Sequence, residues 1–257
     1  MQKDKAVSLK ELTEKEHGQV LCYPRCEHEE LERRLKELER LKVSTIEFTG
    51  KKRIRKIPVL GKGCVGIVVI VHANLGRAAL KIRRIDADRK GMFHEAEMLR
   101  KANSVKVGPQ LLGVSKNFLL MEFIEGTHFP RWLESVVGSD VQSNVRLVLR
   151  EVLEQCYRLD EAGLDHGELS NAPKHIIVDA NGFPHLVDFE TASLERKVSN
   201  VTSICQYLFF KSQVAERVKE NLEKIKEEEL IKALRTYKGQ RTRSNFEAIQ
   251  EKSLFSI

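Results

Sequence analysis

Two acidic residues in the second half of the chain have the types and spacing of groups that do chemistry. Glu168 lies in the stretch 166–178, and Asp188 follows ten residues after that stretch, at the start of Asp188-Phe189-Glu190. The surrounding periodicity predicts a long helix before the loop and a short hairpin after it. One carboxylate could then orient a hydroxyl while the other holds magnesium. An acidic surface loop has the same composition, so the prediction depends on residues upstream.

A glycine-rich stretch lies at residues 59–71, where Gly61, Gly63 and Gly66 form a Gly-x-Gly-x-x-Gly-x-Val pattern. Glycines let a backbone approach phosphate groups closely and offer its N–H groups as donors. A dinucleotide-binding turn leads directly into a helix, whereas a run of Val and Ile follows here. The pattern therefore predicts a strand, a phosphate-covering turn and a second strand.

A lysine inside an apolar strand follows this turn. Lys81 lies in the predicted strand 77–82, and Glu95 lies fourteen positions later in a predicted helix, 91–102. A buried lysine is costly unless it meets a negative charge, so we expect an ion pair between Lys81 and Glu95, although most glutamates are exposed. The apolar face of this helix is predicted to consist of Met92, Phe93, Ala96 and Leu99.

The composition is that of a globular chain with a basic surface. The 257 residues are 41% hydrophobic, and Lys+Arg 44 against Asp+Glu 37 gives a net charge of +7. Such a charge is compatible with a polyanionic partner, although solubility alone is the commoner reason for it. No apolar run approaches the ~20 residues that cross a bilayer, and residues 1–5 lack the apolar core of a signal peptide. We expect a cytoplasmic protein.

The cysteines do not describe a disulfide framework, because the five are scattered and odd in number. Cys22 and Cys26, with His17 and His28 nearby, are the residues that could hold zinc. A four-ligand site normally shows a second paired cluster, which favours unpaired cysteines or a local disulfide instead.

Positive charge is concentrated in three stretches, 51–56, 83–90 and 235–243. The first contains Lys51, Lys52, Arg53, Arg55 and Lys56. Lysines often protect an exposed strand edge from pairing. Because this stretch leads directly into the glycine turn, we expect its charge to lie near the mouth of the site that the turn covers.

The remaining segments predict an α+β protein. An N-terminal appendage (residues 1–50) contains a helix at 27–41 with a leucine stripe and a strand at 45–48. A hairpin is predicted at 110–121. The second half is mainly helical, and the predicted elements are a helix from 141 to 159 capped by Ser139-Asp140 and ended at Gly163, a hairpin at 176–187, and helices at 198–211 and 213–236.

With these motifs in this order, residues 54–235 resemble the protein-kinase-like superfamily, in particular its RIO and KEOPS-kinase branch, where the loop reads His-Gly-Asp-Leu. The resemblance implies a two-lobed fold, with a small antiparallel-sheet N-lobe at 51–125. A mainly helical C-lobe with a basic C-terminal tail would follow at 126–257. It also implies ATP and Mg²⁺ as cofactors.

The resemblance implies a role for each site residue. Gly61, Gly63 and Gly66 would cover the phosphates, Lys81 would contact them, and Glu95 would hold Lys81. Adenine would lie among apolar side chains and against a hinge, a site formed by Leu60, Val68, Ala79, Glu122, Ile124 and Ile177. Glu168 would act on the acceptor hydroxyl, and Asp188 would bind magnesium with Asn171 or His175.

Four departures from the family pattern bear on function. Glu168 stands where the family has Asp, and Glu190 stands where it has Gly. The loop holds about two extra residues, so that His175 matches the metal-binding Asn by distance and Asn171 matches it by chemistry. No Ala-Pro-Glu motif follows Asp188, and the short segment after Glu190 leaves little room for a peptide platform.

These features favour a folded RNA as the acceptor, with an exposed ribose 2′-hydroxyl. The whole pattern is similar to the ArkI family of archaeal tRNA kinases, which phosphorylate the 2′-hydroxyl of a variable-loop uridine. The tRNA would contact the basic surface, consisting of Lys51, Lys52, Arg53, Arg55, Lys56, Arg241 and Arg243. Two alternatives remain: a serine/threonine protein kinase or ATPase acting on a protein partner, and a nucleotide-binding module without activity.

Overall fold

The computed structural model describes residues 6–14, 16–74, 76–138, 140–210, 212–222 and 225–254. The chain divides into two compact units, the first comprising Met1–Glu97 and Gln110–Phe123, the second Met98–Pro109 and Ile124–Ile257. The first contains a large antiparallel sheet and the second contains most of the helices. The predicted α+β class is therefore confirmed. No helix in the described ranges is long and apolar enough to cross a bilayer.

The strands of the first unit are β1 (Val7–Ser8), β2 (Val43–Glu47), β3 (Lys52–Ile54), β4 (Ile57–Val59), β5 (Gly61–Lys62), β6 (Gly66–Ala73), β7 (Gly76–Arg83), β8 (Leu111–Val114) and β9 (Phe118–Glu122). The main sheet has the order β1-β2-β6-β7-β9-β8, and β5 pairs with β6. The strands β3 and β4 form a separate hairpin. The helices are α1 (Leu9–Glu14), α2 (Gly18–Leu21), α3 (His28–Arg40) and α4 (Phe93–Ser104), of which α4 continues into the second unit.

The central strands β6, β7 and β9 have two apolar faces with different roles. One face packs against the N-terminal segment, and its side chains are Ile67, Val69, Val71, Ala78, Leu80, Ile82, Phe118 and Leu120. Residues alternate between faces along a strand, so Val68, Ala79 and Lys81 lie on the opposite face. Three residues of the predicted nucleotide site, Val68, Ala79 and Lys81, thus lie on the face of the sheet that the N-terminal segment does not cover.

The N-terminal segment contributes to the core of the first unit, although the sequence predicted it as an appendage. The predicted helix at 27–41 is confirmed by α3, in which Leu38 is fully buried. The predicted strand at 45–48 corresponds to β2, which pairs with β6 in the main sheet. Side chains from Val7 to Phe48 belong to the same apolar core as the sheet.

A buried arginine on α3 connects several parts of the first unit. The Nη1 atom of fully buried Arg34 donates to the carbonyl oxygens of Leu21, at 2.5 Å, and of Arg83, at 2.6 Å. Its Nη2 donates to Asn117 Oδ1 at 3.1 Å, and its Nε donates to Glu30 Oε1 at 2.7 Å. The periodicity of the leucines did not predict that Arg34 is buried. Arginine is rarely buried unless it has partners, and that periodicity does not reveal partners. The partners offset the desolvation of the charge.

The second unit combines helices with a three-stranded sheet. The strands, in the order β10-β11-β12, are β10 (Gly126–His128), β11 (Ile176–Asp179) and β12 (Pro184–Leu186). The helices are α5 (Phe129–Ser135), α6 (Val141–Glu161), α7 (Asn200–Phe209), α8 (Gln213–Asn221), α9 (Glu227–Gly239) and α10 (Arg243–Leu254), with a 3₁₀ helix at Leu169–Asn171.

Several predicted elements of the second unit are confirmed and others are wrong. The helix predicted at 141–159 is α6, and Gly163, with φ of 73°, follows its end. Asp140 makes no capping hydrogen bond through its side chain, and Ser139 lies outside the described residues. The single helix predicted at 213–236 is wrong, because α8 ends and α9 begins within it. The predicted hairpin at 176–187 is confirmed and gains β10 as a third strand.

The predicted apolar face of α4 is partly wrong. Met92, Ala96 and Leu99 are buried as expected, but the Phe93 residue is 58% exposed. Phe93 is the first residue of α4, where the helical register does not require every apolar side chain to face inward. At the other end of the chain, the predicted basic tail contains the helix α10.

We expect Arg34→Ala to lower the free energy of unfolding by about 3–5 kcal/mol, because it removes the central charge of a buried network and leaves the carbonyl oxygens of Leu21 and Arg83 without this donor. Arg33→Ala is the matched control, since Arg33 also contacts Glu30 but its side chain is 67% exposed. This control should cost no more than about 1 kcal/mol. Urea unfolding of both variants measures the difference, and equal losses would contradict the structural role of Arg34.

Candidate functional site

The first unit contains a buried ion pair at one of the predicted sites. Lys81 on β7 and Glu95 on α4 lie with Nζ and Oε1 at 2.8 Å, and their side chains are 7% and 4% exposed. The predicted ion pair is therefore confirmed. The carboxylate fixes the direction of the ammonium group and offsets its loss of hydration. The pair can present a positive charge to a polyanion on that face of the sheet.

The glycine turn lies against this lysine. The backbone N–H of Gly63 donates to the Gly66 carbonyl at 2.8 Å, which closes the turn between β5 and β6. A Cβ on Gly66 would lie 3.1 Å from Cγ and 3.2 Å from Cε of Lys81. Only a residue without a side chain leaves the Lys81 chain undisturbed here. A Cβ on Gly61 or Gly63 would meet no atom closer than 3.4 Å, so packing alone does not require those two glycines.

The predicted adenine-binding residues divide between the two units. In the first unit, Leu60 donates its N–H to the Val68 carbonyl at 3.0 Å, and Ala79 is buried on the face that carries Lys81. Ile177 lies on β11 in the second unit, where it is half-buried.

The predicted hinge lies where the chain leaves the first unit. The backbone N–H of Glu122, the last residue of β9, donates to the Gln110 carbonyl at 2.9 Å. Its carboxylate accepts from the Gln110 N–H at 3.1 Å, so both contacts hold Glu122 within the first unit. Ile124 is the first residue of the second unit after this strand.

In the second unit, the loop before Glu168 is held by backbone and side-chain bonds that sequence reasoning missed. Asp165 and Ser193 exchange backbone hydrogen bonds at 2.9 and 2.8 Å. Asn200, the first residue of α7, accepts the His166 N–H at 2.8 Å through its side-chain oxygen. Gly167 has φ of 92°, and a Cβ there would lie 2.5 Å from Arg196 Nη2. The loop is therefore held in one backbone path, and only glycine fits at residue 167.

His166 is a buried, neutral residue in this loop. Its Nε2 lies 3.1 Å from the Val187 carbonyl, and its ring centroid lies 5.0 Å from that of Phe189. Burial, together with the nearby His175, lowers the pKa of His166 to about 4. The neutral ring donates from Nε2 to Val187, which leaves Nδ1 as a buried lone pair without a partner. His166 thus ties the loop to the residue before Asp188.

The structure pairs two residues to which the resemblance gave separate roles. The Nε2 of His175 lies 2.9 Å from Glu168 Oε2, while the Glu168 side chain is 41% exposed and that of His175 is 10% exposed. The Nδ1 of His175 is buried without a partner. An N–H donor of the imidazole fixes one carboxylate oxygen, and the exposed carboxylate can still accept a proton from a hydroxyl. Nothing in the sequence alone indicated this contact.

Asp188 has a strained backbone next to a firmly packed residue. Its φ is 70°, a left-handed conformation that is uncommon for residues other than glycine. Phe189 is buried, and a Cβ on Gly108 would lie only 2.7 Å from its ring. One carboxylate oxygen of Asp188 and one of Glu190 lie within 4.8 Å of each other. Asn171 is exposed at the end of the 3₁₀ helix.

The other candidate groups gave mixed outcomes. All five cysteines are free thiols, and among the described residues Cys22, Cys26, His17 and His28 do not form a group of three metal ligands.

The cations of residues 51–56 are exposed on the β3–β4 hairpin. Arg243, predicted to contact RNA, donates to Glu154 at 2.7 and 2.8 Å and to Glu247 at 2.9 Å. Its guanidinium is thus engaged in ion pairs within the chain.

Comparison with known proteins brings no function to these residues. No protein-family model matches the chain. MJ1211, an uncharacterized protein of Methanocaldococcus jannaschii, is 28% identical over 102 residues, which are 40% of this chain and 83% of that protein.

We expect Gly66→Ala to lower the free energy of unfolding by about 1–3 kcal/mol, since the new methyl group overlaps the Lys81 side chain. Gly63→Ala is the control in the same turn, because its Cβ would meet no atom closer than 3.6 Å. This control should change stability by no more than about 0.5 kcal/mol. Thermal and urea unfolding report both values, and an undisturbed Gly66→Ala protein would show that the turn does not lie against Lys81.

The low pKa of His166 predicts a loss of stability in acid. The folded pKa of about 4 lies below the ordinary 6.5. The free energy of unfolding is therefore unaffected by the titration of this histidine above pH 6.5, and it decreases as the pH falls from 6.5 toward 4. The unfolded chain binds a proton that the folded chain excludes. Between pH 7.5 and 5.0 the wild type should lose about 2 kcal/mol more than His166→Phe, which cannot titrate. Parallel pH profiles of the two proteins in urea unfolding would contradict the burial of a neutral imidazole.

Proposed function

We propose that this protein is a two-lobed, kinase-like ATP-dependent phosphotransferase that transfers the γ-phosphate to a ribose 2′-hydroxyl of tRNA. The observation that carries the proposal is the contact of the Gly66 turn with Lys81, whose ammonium is held by Glu95 in the interior. A glycine turn beside a fixed buried cation suits the phosphates of a nucleotide, because backbone donors and a positive charge then act on the same oxygens.

The nucleotide would be held mainly by the first unit. Gly61, Gly63 and Gly66 would lie over the phosphates, and Lys81 would contact the α- and β-phosphate oxygens. Packing leaves room for a Cβ at Gly61 and Gly63, and this space would allow the bound phosphates to approach the backbone closely. Adenine would lie against Leu60, Val68 and Ala79, with the hinge residues and Ile177 completing its site.

The acceptor would be handled by the second unit. Glu168, oriented by His175, would accept a hydrogen bond from the 2′-hydroxyl and take its proton as the new P–O bond forms and the bond to ADP breaks. Asp188 would be a magnesium ligand, and the nearby Glu190 oxygen fits the preference of Mg²⁺ for oxygen donors. Of the two candidates for a further ligand, Asn171 fits better, because it offers an oxygen while His175 Nε2 is engaged with Glu168. Bound Mg²⁺ would neutralise charge on the phosphates.

Two features favour RNA over a peptide as the acceptor. The segment 191–199 between Glu190 and α7 is short, which leaves little chain to form a platform for a peptide. The hairpin of β3 and β4 exposes a concentrated positive charge directly before the glycine turn. Contacts with the phosphate backbone supply much of the affinity of RNA-binding proteins, and the 2′-hydroxyl is accessible in RNA.

The test is incubation with γ-labelled ATP and magnesium, with total tRNA and a protein extract as separate acceptor pools. We expect label in tRNA, on one nucleoside by mass spectrometry. Glu168→Ala should reduce transfer by about 10²–10⁴-fold, because the general base is lost. Asp188→Ala should nearly abolish transfer. Glu195→Ala, an exposed carboxylate in the neighbouring segment, is the matched control and should retain wild-type transfer.

Other outcomes would replace the proposal rather than modify it. Label confined to the protein pool would favour a protein kinase. Magnesium-dependent ATP binding without transfer to either pool would indicate a nucleotide-binding module. Wild-type turnover by Glu168→Ala or Asp188→Ala would remove the assigned roles of those residues.

A further inference from the structure

A pocket in the second unit concentrates positive charge away from Glu168 and Asp188. It has a volume of about 210 Å³ and is lined by Lys197, Lys238 and Arg241 among other residues. A phosphate group fits within that volume, since a single buried water needs only about 10–15 Å³. The three cations come from the end of the segment before α7 and from the end of α9 and the residues after it.

The positive charge of this pocket is not balanced by ion pairs. Neither Lys197 nor Lys238 forms a salt bridge with any residue in the described part of the chain. Arg241 donates from Nη2 to the Val198 carbonyl at 2.8 Å, a neutral acceptor. The three cations outnumber the one carboxylate in the lining, that of Asp160, so the pocket has a net positive charge that attracts an anion.

One carboxylate lines the pocket, but its hydrogen-bonding capacity is already used. Asp160 accepts from the Asn200 N–H at 2.9 Å, the Asn200 Nδ2 at 2.8 Å and the Tyr237 hydroxyl at 2.9 Å. It also accepts from the Val201 N–H at 3.4 Å. With several donors on its two oxygens, Asp160 holds helices together, and its single negative charge is smaller than the combined charge of the three cations.

The pocket is connected to the loop that carries the proposed base. Ser199 lines the pocket, and its N–H and hydroxyl donate to Asp165 Oδ1 at 3.1 and 3.3 Å. Asp165 precedes Glu168 by three residues, which is at most about 11 Å of extended chain. The pocket is therefore within reach of an RNA strand whose acceptor ribose is at Glu168.

We propose that this pocket, with Lys197, Lys238 and Arg241, binds a backbone phosphate of the RNA substrate. The inference rests on the proposed function, which supplies RNA as the ligand. Lys and Arg contacts with phosphates position a nucleic acid without reading its sequence. The pocket would fix the strand while Glu168 acts on one ribose.

The test uses the double variant Lys197→Gln/Lys238→Gln, which removes two charges and keeps side chains of similar length. The control is Lys232→Gln, an exposed lysine of the same helix as Lys238 that does not line the pocket. Binding of total tRNA is measured by fluorescence anisotropy between 50 and 300 mM salt, without ATP. The logarithm of the affinity falls linearly with the logarithm of the salt concentration. The slope of this line should be shallower by about 1.4–1.8 in the double variant and unchanged in the control. Equal melting temperatures of the three proteins show that each is folded.

The possible outcomes distinguish a failure of this inference from a failure of the proposed function. Loss of tRNA affinity in the double variant, with no phosphate transfer by the wild type, would support the pocket and reject the kinase. Transfer to tRNA with an unchanged salt slope in the double variant would overturn the pocket alone. A phosphoserine peptide whose binding depends on Lys197 and Lys238, while tRNA binding does not, would also overturn it.

Discussion

Burial of charge is the constraint on which both units depend. Arg34, the Lys81–Glu95 pair and Asp160 are removed from water, and each meets donors or acceptors that satisfy it. Removing a charged group from water costs several kcal/mol unless such partners are in place. The partners must therefore be correctly placed whenever the charge is buried. Each buried charge thus fixes the relative position of the elements that supply its partners.

In the second unit this constraint extends to the candidate acceptor loop. Burial raises the pKa of the Asp160 carboxyl, while its hydrogen bonds to Tyr237 and Asn200 act in the opposite direction. Asn200 in turn accepts the backbone N–H of His166. His166 contacts the Val187 carbonyl, directly before Asp188. A chain of hydrogen bonds therefore leads from the helices to the backbone on either side of the β11–β12 hairpin.

Much of the fold could be predicted from the sequence because its elements have strong local signals. The periodicity of 141–159 and the turn residues of 179–182 set α6 and the β11–β12 hairpin without reference to the rest of the chain. The Lys81–Glu95 pair was predictable because a lysine within an apolar strand is costly to bury unless it meets a negative charge, and Glu95 lies in the helix that follows. The burial of Arg34 and the role of Asn200 were not predictable, because two partners of Arg34 are 49 and 83 residues away in the chain and those of Asn200 are 34 to 40 residues away.

The pairing of Glu168 with His175 is a contact that motif comparison alone does not reveal. A glutamate in place of aspartate moves the carboxylate outward by one methylene. Considered alone, this change makes Glu168 a weaker candidate for the general base. In the structure the longer side chain meets the imidazole of His175, which fixes one oxygen at 2.9 Å. A side chain with more rotatable bonds loses more entropy when it is held, so a fixed partner matters more for Glu than for Asp. The two departures are therefore best understood as one arrangement, in which each residue accounts for the other.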